Sequence, residues 1–327
     1  MRITDNDIKI LNDKGICRSV SDSYSTPNIG IPAGILSQMS SEVVENIFAK
    51  RSGEEVAGSR KKMLDWADEV YFQPELETTG QTTPYGDFAQ VKVVGINPNF
   101  NQYQHYRFSA KMTIGSLEEK QLARAKINVY DRKMGAVMEA LEIEANRTAF
   151  NGFIDNTSGS YLVYGLLNNP YLPNWTASAK TFDNMTYAEI MQFFAGAISQ
   201  LTSQTGNNIN VNSKIRVCIA SNKYAYLSGL VTEFGYSALD GLRKAYPNME
   251  FVSVYEFEKA YNNQDCIYFI GESMAGGVAE TLYLGYSELA RQSNLVIQEE
   301  FRSQQVSSGT IGAVINKPLF ILRYNNI

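Results

Sequence analysis

A single histidine, His105, stands in 327 residues, and its isolation removes most of the chemistry that the other polar residues could perform. Acyl transfer by a serine needs an imidazole base. The nearest serine loop, Gly271-Glu272-Ser273-Met274-Ala275-Gly276, has one residue too many for a G-x-S-x-G elbow, and the histidine lies far upstream of Ser273 where the hydrolase order puts it last. Phosphate chemistry has no cradle: neither G-x-x-x-x-G-K-[ST] nor G-x-G-x-x-G occurs. Glu54/Glu55 and Glu299/Glu300 offer paired carboxylates, but adjacent residues on a helix or strand point apart, which favours solvated charge over an acid/base pair. Asp5-Asn6-Asp7 opens like a calcium loop, yet Ile10 stands where that loop requires glycine. Cys17, Cys218 and Cys266 are odd in number and lack C-x-x-C spacing, so neither a disulfide framework nor a zinc ribbon is indicated. Cys218, inside an apolar run, reads as an inert core thiol. No catalytic, cofactor-binding or metal-ligating residue is assigned, and no cofactor is expected.

With chemistry so thinly provided, the elements themselves carry the information. Hydrophobic residues make up 44% of the chain, enough to bury a sizeable core in two or three lobes. The formal net charge is −5 and no Lys/Arg run is interleaved with aromatics, which disfavours a sequence-specific nucleic-acid groove. No stretch approaches the roughly 18 apolar residues of a membrane span, and MRITDNDIKI has no apolar signal core. Synthesis in the cytoplasm and a soluble subunit are expected.

Ser116 to Gly152 reads as one amphipathic helix. Ser116 with Glu119 has capping-box spacing, Gly152 can end the helix, and no proline intervenes. Ala123, Ile127, Tyr130, Met134, Val137, Met138, Leu141 and Ala145 fall in one stripe at the helical period. A break near Gly135 is the alternative. Such a helix would be about 50 Å long, more than a compact lobe can surround. Before it, Tyr106, Phe108, Ala110, Met112 and Ile114 alternate with polar residues that include His105, Arg107 and Lys111, a strand with period two. Its expected partner is Asp68 to Leu76, closing a long hairpin around the Thr-, Gly- and Pro-rich residues 77–90. An isolated ribbon is marginal in water, so this one is expected to lie across a neighbouring molecule. Residues 1 to about 40 read as an extended arm, with a short helical signal near Val43 to Phe48.

After the helix, Thr186 and Glu189 cap a second helix carrying Ile190, Phe193, Phe194, Ala197, Ile198 and Leu201. Buried strands are expected at Ile215 to Ala220, Phe251 to Val254 and Cys266 to Ile270, with helical stretches starting near Ser221 and Tyr236, in an α/β or α+β layer. The tail from Leu282 reads as strand with turns at Ser307 to Gly309 and Asn316 to Pro318.

This order of elements resembles the major capsid proteins of tailed bacteriophages, whose shell fold encapsulins share. The helix end Ala149-Phe150-Asn151-Gly152 and the following Tyr164-Gly165-Leu166-Leu167-Asn168-Asn169-Pro170 resemble the segment that joins spine helix to the next lobe in one branch of that family. The resemblance implies an α+β fold with N-terminal arm, extended β-hairpin loop, long spine helix, and peripheral and axial domains. Residues 1–65 would be the arm and short helix, 66–115 the extended loop, 116–164 the peripheral domain, 165–285 the axial domain, and 286–327 the returning strands. It further implies a non-enzymatic subunit assembling through pentamers and hexamers into the head shell of a virion. Thr78, Gly80, Tyr85, Phe88, Arg107, Lys111, Arg124 and Arg132 are candidate interface residues on the loop and spine helix. Partners would be further copies of the chain, a portal, a separate scaffold protein and packaged DNA held without sequence-specific contact; no membrane is expected. Lys92 and Lys111 lie where some relatives cross-link a loop lysine, but no acceptor is identified. An encapsulin-like compartment shell and, in another class, an α/β enzyme with an unrecognised site are the alternatives.

Overall fold

The computed structural model describes residues 51–85, 87, 92–124, 128–155, 157, 159–231, 235–272 and 280–327. The arm, the helical signal near Val43, Cys17 and the Asp5-Asn6-Asp7 run lie outside the described residues, as do Phe88 and Ser273. After α1 (Gly53–Ala57) and β1 (Arg60–Lys62), β2 (Val70–Thr79) and β3 (Gly95–Gln104) pair antiparallel. β4 (Tyr106–Gly115) leads to α2 (Ser116–Arg124) and α3 (Val129–Asn151), followed by β5 (Phe153–Ile154), β6 (Tyr161–Val163) and β7 (Thr176–Ala177). Next come α4 (Tyr187–Gln204), β8 (Lys214–Ala220), α5 (Ser221–Gly229), α6 (Ala238–Ala245), β9 (Met249–Val254) and β10 (Cys266–Glu272). The chain ends with β11 (Leu282–Tyr286), β12 (Arg291–Gln292), β13 (Val296–Ile297), β14 (Phe301–Ile315) and β15 (Ile321–Asn325).

Two sheets organise these elements. One has the order β7-β15-β10-β8-β9 and alternates its inward residues between two cores. Val217, Ile219 and Phe269 meet Ile190, Phe194 and Leu201 of α4 on one face. Cys218, Ala220, Tyr268 and Ile270 meet Phe150, Val56 and Leu166 on the other, where Leu282, Leu284 and Ile315 tie in the second sheet. The expected cap of α4 forms in full, with the Thr186 side chain and Glu189 each satisfying a backbone donor of the other. Cys218 is fully buried, and burial pushes its thiol up to about 12. The second sheet is built on β14, whose first ten residues pair with β4 and whose Thr310 and Gly312 to Ile315 pair with β11 around a bulge at Ile311.

Three expectations are corrected. The Ser116 to Gly152 segment is not one helix: Asn128 takes extended backbone (φ −77°, ψ 100°) and its side chain accepts the Asp131 N–H, so α3 starts afresh. An asparagine that satisfies an orphan donor is worth more as a cap than in a helix interior. Gly135 lies inside α3 and causes no break. At the front, Glu118 rather than Glu119 reaches back, accepting the Gly115 N–H. Second, Tyr106 to Ile114 does alternate in burial, but its partner is β14, and β2 pairs with β3 instead. Third, Ser307 to Gly309 is no turn; it continues β14, opposite Ser109 to Arg107. A side chain at Gly309 would strike His105 and Ser287, so the glycine serves close packing there.

The motif after the spine helix has a physical explanation. Gly152 ends α3 with φ +68° and donates to the Thr148 carbonyl. The carbonyls left over at the helix end are then taken by the next segment: Leu166 N–H donates to Ala149 O and Leu167 N–H to Phe150 O, both at 2.9 Å. Asn168 Nδ2 donates to Asn151 O at 2.6 Å, and its Oδ1 accepts the Gly165 N–H. A Cβ on Gly165 would lie 2.3 Å from Phe150 O, so only glycine fits this clasp.

Candidate assembly interface

β2 and β3 form a ribbon whose faces differ in kind. Directly opposed residues of an antiparallel pair share a face, and the register opposes Phe72 to Gln102, Pro74 to Phe100, Leu76 to Pro98 and Thr78 to Ile96. That face is apolar. The other opposes Gln73 to Asn101, Glu75 to Asn99 and Glu77 to Asn97, with Asn101 Nδ2 donating to Glu75 Oε2 at 3.2 Å. The sequence reading missed this ribbon although the signal is present: Ile96, Pro98 and Phe100 alternate with Asn97, Asn99 and Asn101. Prolines 74 and 98 withhold donors from a ribbon with two open edges, a device that discourages unplanned strand addition.

Among the described residues the apolar face has no cover. Phe72, Leu76, Ile96 and Phe100 are 58%, 66%, 62% and 61% exposed. Four large apolar side chains left aligned on one surface mark an interaction site rather than scattered surface hydrophobics. Ten residues per strand at about 3.4 Å each carry this surface roughly 34 Å from its base.

The base, in contrast, is fixed to the β11–β14 sheet. Tyr71 and Tyr103 pack on Leu64, Tyr283, Ile311 and Val314, and burial pushes the Tyr103 phenol up to about 12. His105 is the one residue between β3 and β4. Its Nδ1 donates to the Asp68 carbonyl at 2.7 Å and its Nε2 accepts from the Ser287 hydroxyl at 2.8 Å, the tautomer that satisfies both partners. The Arg107 guanidinium donates to the carbonyls of Trp66 and Asp68 at 3.0 and 2.7 Å, and the guanidinium groups of Arg107 and Arg291 both lie over the Trp66 ring, 5.8 and 5.2 Å from its centre. The sole histidine is thus a buried strut; burial, aided by the Arg107 charge, lowers its pKa against the opposing Asp68 carbonyl bond.

The candidate interface residues fall in three places. Thr78, Gly80 and Tyr85 sit at the outer end of the ribbon, and Tyr85 is 96% exposed. Arg107 and Lys111 lie on the exposed face of β4, where Lys111 opposes Gln305 and Arg107 holds the ribbon base rather than facing outward alone. Arg124 ends α2, and Arg132 lies in the first turn of α3.

A cleft of about 1010 Å³ beside β9 is lined by Arg51, Glu54, Lys214, Arg216 and Glu250 among others. Its cations are paired: Lys214 and Arg216 with Glu250 of the same cleft at 3.5 and 3.8 Å, and, with carboxylates outside its lining, Arg216 with Glu272 at 2.5 Å and Arg51 with Glu139 and Glu142 at 2.7 Å. Among the described residues no group of three His, Cys, Asp or Glu side chains could hold a metal ion, and no helix is long and apolar enough to cross a membrane.

The Pa193 gp26 major capsid protein family matches residues 22–326. No curated protein matches the chain. Among solved structures, the capsid of Myoviridae phage XM1 is 14% identical, with a TM-score of 0.75 over 92% of this chain and all of that one. The capsid of an empty GTA particle is 9% identical, with a TM-score of 0.55 over 92% and 99% of the two chains. A Gordonia phage Cozz chain is 10% identical, with a TM-score of 0.55 over 94% and 98%. Identities this low bear on the fold alone, and the fold they share is that of phage capsid subunits.

Proposed function

Since the chain belongs to the Pa193 gp26 major capsid protein family, and is therefore a structural subunit of a phage head shell, we propose that its copies hold one another through the β2–β3 ribbon. The observation that carries this is the uncovered apolar face of Phe72, Leu76, Ile96 and Phe100 on an arm anchored only at its base. Water penalises that surface at about 25 cal/mol per Å², and no described residue of the subunit relieves it. Laid across the next molecule it becomes an interface core, and because giver and receiver surfaces differ, the contact is head-to-tail and propagates into rings.

In this reading residues 66–115 act as the extended loop, 116–164 as the peripheral domain, 165–285 as the axial domain at the ring centres, and 286–327 as the strands returning to them. Pentamers and hexamers are the expected rings. Thr78, Gly80, Tyr85, Phe88, Lys111, Arg124 and Arg132 remain the proposed contact residues, with Arg107 reassigned to fixing the ribbon's angle. A portal, a separate scaffold protein and DNA enclosed without sequence-specific contact are the proposed partners, and synthesis in the host cytoplasm precedes incorporation into the virion. Nothing in the fold or the family match favours the compartment shell or the enzyme.

Electron microscopy of purified protein, alone and with its scaffold, tests the reading: rings, capsomers or shells are expected. Deleting residues 77–90 should leave a soluble, folded subunit that no longer assembles. Normal shells from that deletion would refute the clasping role.

A further inference from the structure

The acceptor for the ribbon's outer end is a second feature of the same molecule. Where β4 ends, Ile114, Ala123, Val129, Tyr130 and Leu295 enclose a pocket of about 230 Å³, with Glu119, Asn128 and Arg302 around it. It lies where α3 starts afresh at Asn128, beside the residue that precedes β13. The size decides what it suits. It is several times the roughly 30 Å³ share of a water molecule, yet smaller than the ~300–1,000 Å³ of small-molecule sites. One aromatic side chain fits such a space, whose lining joins Ile114, Ala123, Val129 and Leu295 to the polar Glu119, Asn128 and Arg302.

The outer end of the ribbon presents that side chain. Tyr85 is 96% exposed among the described residues. A buried tyrosine in an apolar pocket is a common dominant contact of protein interfaces. The exposed Asp87 follows two residues on, and Arg302 in the pocket lining is half exposed and only loosely paired, 3.6 Å from Glu119.

Topology forbids the contact within one copy. A reversal of strand direction takes at least two loop residues, whereas His105 alone separates β3 from β4, and the two strands belong to different sheets. Each strand has ten residues. Even a right-angle bend at His105 leaves ribbon tip and pocket on the order of 50 Å apart at ~3.4 Å per residue. We propose that Tyr85 of one copy seats in the Ile114–Val129–Leu295 pocket of the next, with Asp87 facing Arg302, which fixes the register of the head-to-tail contact. The proposal rests on the shell reading and names the surface that receives the ribbon.

Disulfide trapping tests it, on a Cys17→Ser background in which the remaining cysteines, Cys218 and Cys266, are buried. Chains carrying Pro84→Cys and Asn294→Cys together, exposed positions next to Tyr85 and Leu295 that leave both of those side chains in place, oxidised after assembly, should give shells by electron microscopy and a ladder of covalent multimers on non-reducing gels. A mixture of the two single variants should give cross-linked dimers. Shells that yield only monomers, or only internally bridged chains, would overturn the pocket assignment while leaving the shell reading intact; wild-type protein that never assembles would overturn both. As an independent measurement, Asp87→Arg and Arg302→Asp should each raise the protein concentration needed for assembly about tenfold, and the combined variant should restore it. Absence of that rescue would count against the register.

Discussion

Replacing Leu76 and Phe100 together by threonine separates assembly from folding. Threonine keeps the β-branched preference for strand, so the ribbon should persist while its apolar face is interrupted. Leu76 and Phe100 are 66% and 61% exposed in the subunit, and that part alone remains to be covered by a neighbour. Full burial of such a side chain is worth about 1.5–3 kcal/mol, so the uncovered part supplies about 1–2 kcal/mol per residue at each contact. Losing both gives about 2–4 kcal/mol, and at 1.4 kcal/mol per factor of ten the concentration needed for assembly should rise roughly 30- to 1,000-fold. Subunit stability should stay within about 0.5 kcal/mol, as is usual for surface positions without internal partners. Light scattering across a concentration series reads the first quantity, and chemical denaturation of unassembled protein reads the second. Assembly at the wild-type concentration, or a marked loss of subunit stability, would refute the reasoning, since either would mean that this face is satisfied at home.

Other consequences follow from single residues. Because burial depresses the pKa of His105 below its unfolded value near 6.5, the unfolded chain binds the extra proton more readily; stability is therefore fully present above pH 6.5 and falls as pH drops below it. With only one histidine in the chain, His105→Gln should remove that component from a series of denaturant midpoints, and an unchanged pH profile would show that the strut carries no titration. Gly165→Ala should cost several kcal/mol or prevent folding, since the new Cβ meets the Phe150 carbonyl and the Gly152 nitrogen at 2.3 and 2.4 Å; soluble yield and circular dichroism read it. Asn128→Ala removes the cap of α3 and should cost about 1 kcal/mol in urea denaturation.

Much of this protein is settled by local patterning. Thr186 and Glu189 fix the start of α4, the apolar runs at Ile215, Phe251 and Cys266 become strands, and Gly152 ends the spine helix, because capping and periodic burial depend on neighbours a few residues away. The near-absence of catalytic residue combinations is legible in the same way. What the sequence left undecided was which strand meets which. Tyr106 to Ile114 announces itself as a strand through its alternation, but nothing local distinguishes a nearby partner from β14, nearly two hundred residues on; the match of a whole ladder and its packing against α3 decides it. Residues 95–104 do not read as strand locally because Pro98 and the asparagines argue against it on propensity, and only pairing with β2 makes their alternation meaningful. The same holds for His105, whose type suggests chemistry and whose position between two sheets makes it a strut. Local sequence sets what each segment is, while long-range pairing, whose energy is shared among residues distant in the chain, sets where each segment goes and which surface is left for another copy to cover.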